Sequence, residues 1–273
     1  MELKDFESNI QSQYGEDGVI EEIFNRISHI NKYCVEFGSW DGIHLSNTWH
    51  LWHNLDWSAL LIEGEKERFK VLKENTEQFQ KVKIVNEFVS IQGESSLDSI
   101  LRKTSAPEVF DLLSIDIDGD DYHVFSSLND FKPRVVVIEY NPTIPPHLHV
   151  VQEPGEYFGA SALAITELAH SKGYKLVHLT DTNLFFVLAS DFIKMNITEV
   201  ALEADFKYRN LTTVITSFDG NEFLNQKPPF KWKIPVEGTK WKLFGLLKST
   251  PMGKKKPLVR TITELIKVKI YRE

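Results

Sequence analysis

The sequence predicts an α/β fold with a doubly wound, mostly parallel sheet of seven strands, an antiparallel edge and a C-terminal extension. Two patterns predict this fold. Short apolar runs alternate with amphipathic helical patterns from residue 33 to about residue 190. The last two runs, 174–179 and 183–189, are joined through a Thr-Asp-Thr-Asn turn, which predicts a hairpin and hence antiparallel pairing.

The composition fits a folded protein with a sizeable core. Of 273 residues, 42% are hydrophobic and 12% are aromatic, which excludes wholesale disorder. The single cysteine, Cys34, excludes an intrachain disulfide and a multi-cysteine metal site. The N-terminus is polar and acidic, unlike a signal peptide, and no apolar run approaches the roughly 18 residues of a membrane span. We therefore expect a cytoplasmic protein.

Charge is distributed unevenly along the chain. Residues 227–273 hold 13 Lys and Arg against 3 acids, whereas the preceding residues hold 18 against 36. The alternation of strands and helices ends near residue 205, so we predict a main domain at 1–204 and a basic, irregular extension at 205–273. The extension is expected either to bind the anionic inner face of the membrane or to fold back on the acidic main domain or on a dimer partner. The acidic body disfavours a nucleic-acid substrate.

The elements follow one another in a regular order. The first helix is predicted to start near Asp17, where apolar residues recur at helical spacing, and the preceding turn holds groups able to contact a ligand. The run at 133–142 is β-branched without alternation, which indicates a central strand. The other predicted elements are helices at 65–79, 97–103 and 160–172, and strands at 57–63, 82–89 and 112–117.

A glycine-containing turn follows the first strand. The strand ends at Glu36, and Gly38 and Gly42 allow the backbone to turn tightly and to approach a ligand closely. This spacing favours a nucleoside without a pyrophosphate, although such turns also occur without a ligand. The second strand ends at Glu63, about 27 residues after Glu36, where an acid can accept hydrogen bonds from ribose hydroxyls.

Four carboxylates lie within six residues at the end of the fourth strand, at Asp116, Asp118, Asp120 and Asp121. They form either a strand-to-helix turn rich in capping acids, with Asp120 as the helix cap, or a cation site. Gly119 is expected to permit a sharp exit from the strand.

The fifth strand ends in two further oxygen ligands, Glu139 and Asn141, which share one face if the strand is extended. Because ligands bind beyond the carboxyl ends of central strands, Asp116, Glu139 and Asn141 are predicted to hold Mg²⁺ or Mn²⁺. The alternative is that these acids are buried and bonded to backbone amides. The proline-rich stretch 143–157 is too long for an ordinary connector and is predicted to be an active-site loop or lid.

These motifs resemble the class I S-adenosylmethionine-dependent methyltransferases, and more narrowly the FkbM-type methyltransferases of bacterial glycan and natural-product pathways. The resemblance spans about residues 8–190 and does not extend to the C-terminal extension. It is carried by Ser12-Gln-Tyr-Gly-Glu-Asp-Gly18, Val35-Glu-Phe-Gly-Ser-Trp-Asp-Gly42 and the segments 60–65, 113–119, 135–141 and 157–161.

The resemblance implies transfer of a methyl group from S-adenosylmethionine to a hydroxyl of a sugar, nucleotide-sugar or glycan. Glu63 would bind both ribose hydroxyls, Gln13 and Tyr14 would close over the cofactor, and the adenine contact would come from about residues 88–90. The implied cofactor-binding residues are Gln13, Tyr14, Glu36, Gly38, Ser39, Glu63 and Asp116.

The acids at the fourth and fifth strand ends depart from the simplest FkbM pattern and are similar to those of metal-dependent O-methyltransferases. The metal would bind vicinal oxygens of the acceptor and position one hydroxyl for in-line transfer. Asp116 would then be catalytic through the metal, with Asp118 as an outer partner. His147 or His149 in the loop, or His123, would act as a general base, although a loop histidine is also common as a plain surface residue.

Two other function classes are compatible with such a sheet. An NAD(P)-dependent oxidoreductase or epimerase of sugar nucleotides needs a Gly-x-Gly-x-x-Gly turn, which residues 38–42 do not supply. A non-catalytic scaffold would keep the sheet without the chemistry, and the presence of Glu36, Glu63 and Asp116 argues against it.

Overall fold

The computed structural model describes residues 2–208 and Leu211 in full, and the backbone of three short strands at 214–216, 222–224 and 241–243. The chain divides into two compact units, Met1–Lys207 and Tyr208–Glu273. The C-terminal residues of the predicted extension, from 244 onward, and the side chains of the basic tail, with their predicted membrane or dimer contacts, lie outside the described residues. Within residues 2–208, every helix is too short and too polar to span a bilayer.

The first unit is built on one sheet of seven strands. They are β1 Tyr33–Phe37, β2 Ser58–Ile62, β3 Val82–Val85, β4 Val109–Ile115, β5 Lys132–Glu139, β6 Tyr174–Leu179 and β7 Asn183–Leu188. The order across the sheet is β3-β2-β1-β4-β5-β7-β6. Strands β1 to β5 are parallel, and β7 runs antiparallel between β5 and β6. The predicted seven-stranded sheet is confirmed, with its antiparallel strand one position in from the edge.

Helices connect these strands. They are α1 Glu16–Ile27, α2 Trp49–Asn54, α3 Lys66–Thr76, α4 Leu97–Lys103, α5 Asp121–Ser127, α6 Ala162–Ser171, α7 Ala189–Met195 and α8 Leu202–Asp205, preceded by a 3₁₀ turn at Leu3–Phe6. Helices α2, α7 and α8 were not predicted from the sequence. Helix α6 begins after Ser161, whose hydroxyl accepts a hydrogen bond from the amide of Ala164.

One apolar cluster joins α1, α2 and α7 to a face of the sheet. The strand residues that alternate with this cluster, such as Val35, Leu113 and Val136, are also fully buried, so both faces of the sheet are covered. Cys34 lies in the cluster, where burial raises the pKa of its thiol well above the usual value. The cluster includes Val19, Ile20, Ile23, Phe24, Leu51, Trp52, Leu112, Val135 and Val187.

The two central strands are shorter at their carboxyl ends than predicted. Strand β4 stops at Ile115 and β5 stops at Glu139, so Asp116 and Asn141 lie in the loops beyond them. The turn after β4 is made by Asp118, whose φ is 58°, and not by Gly119, which lies outside the left-handed region. Gly119 is needed for a different reason, because a Cβ there would lie 2.5 Å from the carbonyl oxygen of Glu156.

A buried ion-pair network fastens the amino-terminal edge of the sheet. The guanidinium of Arg134 donates to Asp111 at 2.7 Å and to Asp191 at 2.8 Å, and all three side chains are buried. Asp111 also accepts hydrogen bonds from the backbone amides of Ile30, Asn31 and Lys32. The charges at this edge are therefore paired within the fold.

The second unit contains a three-stranded sheet in the order β10-β9-β8, formed by β8 Val214–Thr216, β9 Glu222–Leu224 and β10 Trp241–Leu243. Strands β8 and β9 pair antiparallel and β9 and β10 pair parallel. The sequence analysis predicted an irregular extension here, because strands of three residues are too short to leave an alternating pattern.

Candidate active site

The carboxyl ends of β1, β2, β4 and β5 meet at one edge of the sheet because these strands are parallel. The backbones come closest after β1, where a Cβ on Gly38 would lie 1.7 Å from the carbonyl oxygen of Asp116. Gly38 also has a φ of 78°. Only glycine therefore fits, and it brings the predicted cofactor turn against the acidic end of β4.

Glu63 is held in one orientation at the end of β2. Its carboxylate is buried and accepts hydrogen bonds from the amides of Trp40 at 2.9 Å and Glu65 at 2.6 Å. Each carboxylate oxygen keeps further acceptor capacity, as binding of two ribose hydroxyls requires. The exposed ring of Phe88 lies beside it, 2.3 Å from where a Cβ on Gly64 would stand. These groups fit the ribose and adenine of a nucleoside.

Glu36 and Ser39 are tied into the fold by internal hydrogen bonds. The carboxylate of Glu36 accepts from the hydroxyls of Ser46 and Thr48, both at 2.7 Å, and from the amide of Asn47. Burial raises the pKa of Glu36, although these donors favour its ionised form. Ser39 donates to the carbonyl of Glu36. Both residues shape the turn after β1, and their contact with a cofactor stays a prediction.

The N-terminal segment is fixed by two acids of α1 that the sequence analysis did not select. Glu16 accepts from the amides of Gln13 and Tyr14, and its other oxygen accepts from the hydroxyl of Thr180. Asp17 accepts from three amides of residues 10–12. The side chains of Gln13 and Tyr14 stay exposed, with the amide of Gln13 donating to the Tyr14 hydroxyl.

Three carboxylates converge where β4 and β5 end. Asp116, Asp118 and Glu139 each offer an oxygen, and these oxygens lie within 4.8 Å of one another. Burial, followed by the neighbouring acids, raises the pKa of Asp116 and of Glu139 well above the usual value. In the described part of the chain no Lys or Arg forms an ion pair with any of the three.

The other two acids of the stretch serve the local structure. Asp121 accepts from the amides of Ile117 and Gly119, both at 2.9 Å, and burial raises its pKa to about 6. Asp120 occupies the N-cap position of α5, as predicted, but makes no side-chain capping bond there. Its carboxylate instead accepts from the amide of Gly155 and from Gln152.

The side-chain amide of Asn141 is hydrogen-bonded within its own loop, and its role as a metal ligand stays a prediction. Its side-chain oxygen accepts from the amide and the hydroxyl of Thr143, and its nitrogen donates to the carbonyl of Phe158. Strand β5 ends two residues before Asn141, so its side chain no longer follows the alternation that Glu139 obeys. Asp118, predicted as an outer partner, is one of the three converging carboxylates.

The predicted loop is anchored by Gln152, a buried residue that the sequence analysis did not select. Its oxygen accepts from the amides of Phe158 and Gly159, and its nitrogen donates to Asp120 and to the carbonyl of Glu156. The loop is thereby held against the turn that carries Asp118. No sequence pattern signals this role, because the partners come from separate segments.

The three candidate histidines differ in their contacts. His149 is exposed, and its Nδ1 lies 2.7 Å from an oxygen of Glu167. His147 is exposed on the same loop. The Nε2 of His123 lies 2.8 Å from the carbonyl oxygen of Gln152, to which it can only donate, so this nitrogen is not available as a base.

Comparison with known proteins identifies the domain. Residues 59–176 match the methyltransferase FkbM domain. No curated protein sequence matches the chain. A methyltransferase from Aquifex aeolicus, described as SAM-dependent, is 8% identical over 67% of this chain and 94% of its own, with a TM-score of 0.39.

Two further solved structures are similarly distant. The N-terminal domain of EvdMO1, solved in the presence of SAH and D-fucose, is 10% identical over 68% of this chain and 92% of its own, with a TM-score of 0.43. Monomeric WbdD is 16% identical over 62% of this chain and 40% of its own, with a TM-score of 0.40. The match to the FkbM domain, within a seven-stranded sheet, shows that this chain contains an FkbM methyltransferase domain and supports an S-adenosylmethionine-dependent methyltransferase.

Proposed function

We propose that the protein methylates a hydroxyl of a sugar, nucleotide-sugar or glycan, with a divalent cation held by Asp116, Asp118 and Glu139. The observation that carries this proposal is the convergence of three carboxylate oxygens within 4.8 Å of one another, without a paired cation in the described residues. Like charges brought together at a strand end repel, and a bound cation removes that cost. Hydroxyls of a sugar are suitable acceptors because two vicinal oxygens can bind one metal ion.

The donor set fits Mg²⁺ or Mn²⁺, since both prefer carboxylate oxygens. Oxygens that bind one Mg²⁺ at about 2.1 Å lie at most about 4.2 Å apart, so small side-chain rotations of Asp116, Asp118 and Glu139 would suffice. The metal, when bound, supplies a Lewis acid that lowers the pKa of a coordinated hydroxyl. Asp118 is exposed, which leaves the acceptor an approach from the solvent side.

The cofactor is proposed to bind along the ends of β1 and β2. Glu63 would accept hydrogen bonds from both ribose hydroxyls, and Phe88 would contact the adenine. Glu36, Gly38 and Ser39 would shape the methionine side, next to Asp116. Gln13 and Tyr14 would close over the cofactor, because Glu16 fixes their backbone amides while their side chains stay exposed.

The loop is proposed to cover the acceptor and to supply the base. His149 is the better candidate, because its contact with Glu167 through Nδ1 would orient the ring and leave Nε2 able to accept a proton. His147 is the alternative base on the same loop. Excluding water here would strengthen the electrostatic interactions of the reacting groups.

Labelled methyl transfer tests this proposal. The full chain is incubated with methyl-labelled S-adenosylmethionine and pools of nucleotide-sugars or glycans, with EDTA and with Mg²⁺ restored afterwards. We expect label in a sugar hydroxyl, loss of turnover in EDTA and recovery with Mg²⁺. Asp116→Asn should lose at least about 100-fold in turnover, whereas the exposed Asp130→Asn should not. Unchanged turnover in EDTA would remove the metal from the reaction, and label on another atom type would exclude O-methylation.

A further inference from the structure

We infer that the side-chain oxygen of Asn183, on β7, is a further ligand of the cation at Asp116, Asp118 and Glu139. This inference deepens the proposed function and rests on its metal site. It assigns the amide ligand to a strand that the sequence analysis did not connect with the site.

The strand register places Asn183 beside Glu139, one of the three carboxylates. Asn183 is the direct cross-strand partner of Glu139 in the antiparallel pairing of β5 and β7. The backbone N–H of Asn183 donates to the Thr180 hydroxyl, and the backbone carbonyl of Asn183 accepts from the Thr180 N–H. The backbone groups of Asn183 therefore face β6 and not β5. The pair with Glu139 is therefore the non-hydrogen-bonded kind, in which side chains on the same face come closest.

The side chain of Asn183 carries an unused acceptor. Asn183 is 4% exposed, and its Oδ1 is buried without a hydrogen-bond partner among the described residues. The orientation of the amide group is set by its nitrogen, which donates to a carboxylate oxygen of Glu16 at 3.3 Å. A buried acceptor without a partner costs about 1–3 kcal/mol, so the position calls for a donor or a cation.

A cation satisfies both the unused oxygen and the unpaired acids. Asn183 would bind from the buried side, Asp116 and Glu139 from the strand ends, and Asp118 from the solvent side. Four protein oxygens leave room for acceptor oxygens in the octahedral shell that Mg²⁺ requires. Asn141, by contrast, has both ends of its amide group occupied by Thr143 and Phe158.

Direct binding of Mn²⁺ to the full chain, free of cofactor, tests the inference by electron paramagnetic resonance. Asn183→Ala should weaken Mn²⁺ binding at least about tenfold. Asn183→Asp should bind Mn²⁺ at least as tightly as the original protein, because it restores an oxygen and adds a charge. Thr180→Val is the matched control: it removes the hydroxyl that donates to Glu16 and accepts from the backbone amide of Asn183, but leaves the side-chain oxygen of Asn183 in place, so Mn²⁺ affinity should change less than about twofold.

The outcomes separate the inference from the proposed function. If the original protein does not bind Mn²⁺, the metal site itself is wrong. If it binds Mn²⁺ and Asn183→Ala binds equally well, only the role of Asn183 is wrong. If Thr180→Val reproduces the loss, the hydrogen bonds of this turn and not the side-chain oxygen of Asn183 determine the affinity, and the inference is wrong. Should Asn183→Ala fail to fold, Asn183→Asp decides, because a ligand there predicts that Mn²⁺ raises its melting temperature more than that of the original protein.

Discussion

Strand β4 carries one acid near each end, and the two are treated in opposite ways. Asp111, at the amino-terminal edge, meets Arg134 and three backbone amides and is fully buried. Asp116, at the carboxyl edge, meets other acids, and burial and these neighbours raise its pKa well above the usual value. The first arrangement stabilises the fold, whereas the second keeps a local cost that a ligand can remove.

The same contrast separates the acids around these two positions. Burial opposes ionisation of Asp191, but hydrogen bonds from Arg134 and Lys194 outweigh burial and lower its pKa. Burial also opposes ionisation of Glu139, and there the nearest charged groups are acids that raise its pKa further. Burial of an acid alone therefore does not indicate a functional site. A buried acid without a neighbouring basic group does indicate one.

The largest expected effect comes from removing the arginine of the buried ion-pair network at the amino-terminal edge. Arg134→Met leaves Asp111 and Asp191 buried without their guanidinium and should lower the free energy of unfolding by about 3–5 kcal/mol. Urea denaturation measures this loss. The exposed ion pair of Arg102 and Asp130 is the control, and Arg102→Met should cost less than about 1 kcal/mol. Equal losses in the two variants would show that the buried network does not hold this edge together.

The second prediction reverses the sign at the other end of the strand. Asp116→Asn should raise the free energy of unfolding by about 1 kcal/mol at pH 7 in the presence of a chelator, because it removes one charge from the acidic group. Its matched control on the same strand, Asp111→Asn, should lower stability. Denaturation of both variants in urea measures the two signs, and a loss of stability in Asp116→Asn would contradict this interpretation.

The pH dependence of that gain follows from the direction of the shift. The pKa of Asp116 is higher in the folded than in the unfolded protein, so the folded state binds this proton more tightly. The original protein therefore loses stability as the pH rises above the unfolded pKa of about 3.9. The advantage of Asp116→Asn should therefore be small near pH 4 and grow toward pH 7. An advantage that shrinks over this range would mean that the folded pKa is lowered.

The sequence predicted the features that depend on local patterns along the chain. Alternating apolar runs located the strands of the sheet, and strand ends located Glu63, Asp116 and Glu139 at one edge. The sequence did not predict Asn183 or Gln152, because their partners come from distant segments whose pairing register is set only in the folded sheet. Such long-range contacts leave no local period to read.

The end of β5, which was predicted to extend beyond Asn141, depends on similar contacts. A β-branched run shows that a strand exists, but the residue at which it stops depends on the tertiary hydrogen bonds of the loop. Here the amide of Asn141 donates to the carbonyl of Ala160, which turns the chain away from the sheet. The alternation of side chains that was used to place Asn141 beside Glu139 therefore does not extend to Asn141.

The smallest expected effect concerns how the loop is fastened. The loop at the carboxyl edge is held by the neutral side chain of Gln152, whereas the amino-terminal edge is held by ion pairs. Gln152→Ala removes the side chain that accepts from Phe158 and Gly159, but the loop can open locally and let water satisfy these groups. Global stability should therefore fall by less than about 1 kcal/mol, measured by urea denaturation.

The same variant should separate acceptor binding from cofactor binding. Because the loop faces the turn with Asp118, the KM for the acceptor should rise several-fold in Gln152→Ala. The affinity for S-adenosylmethionine, which is proposed to bind at the ends of β1 and β2, should stay the same. The exposed Gln80→Ala is the matched control and should change neither quantity. Steady-state kinetics and calorimetry measure the two. A parallel loss of cofactor affinity would mean that the loop supports the whole carboxyl edge. It would contradict the prediction that the loop is fastened separately and affects acceptor binding alone.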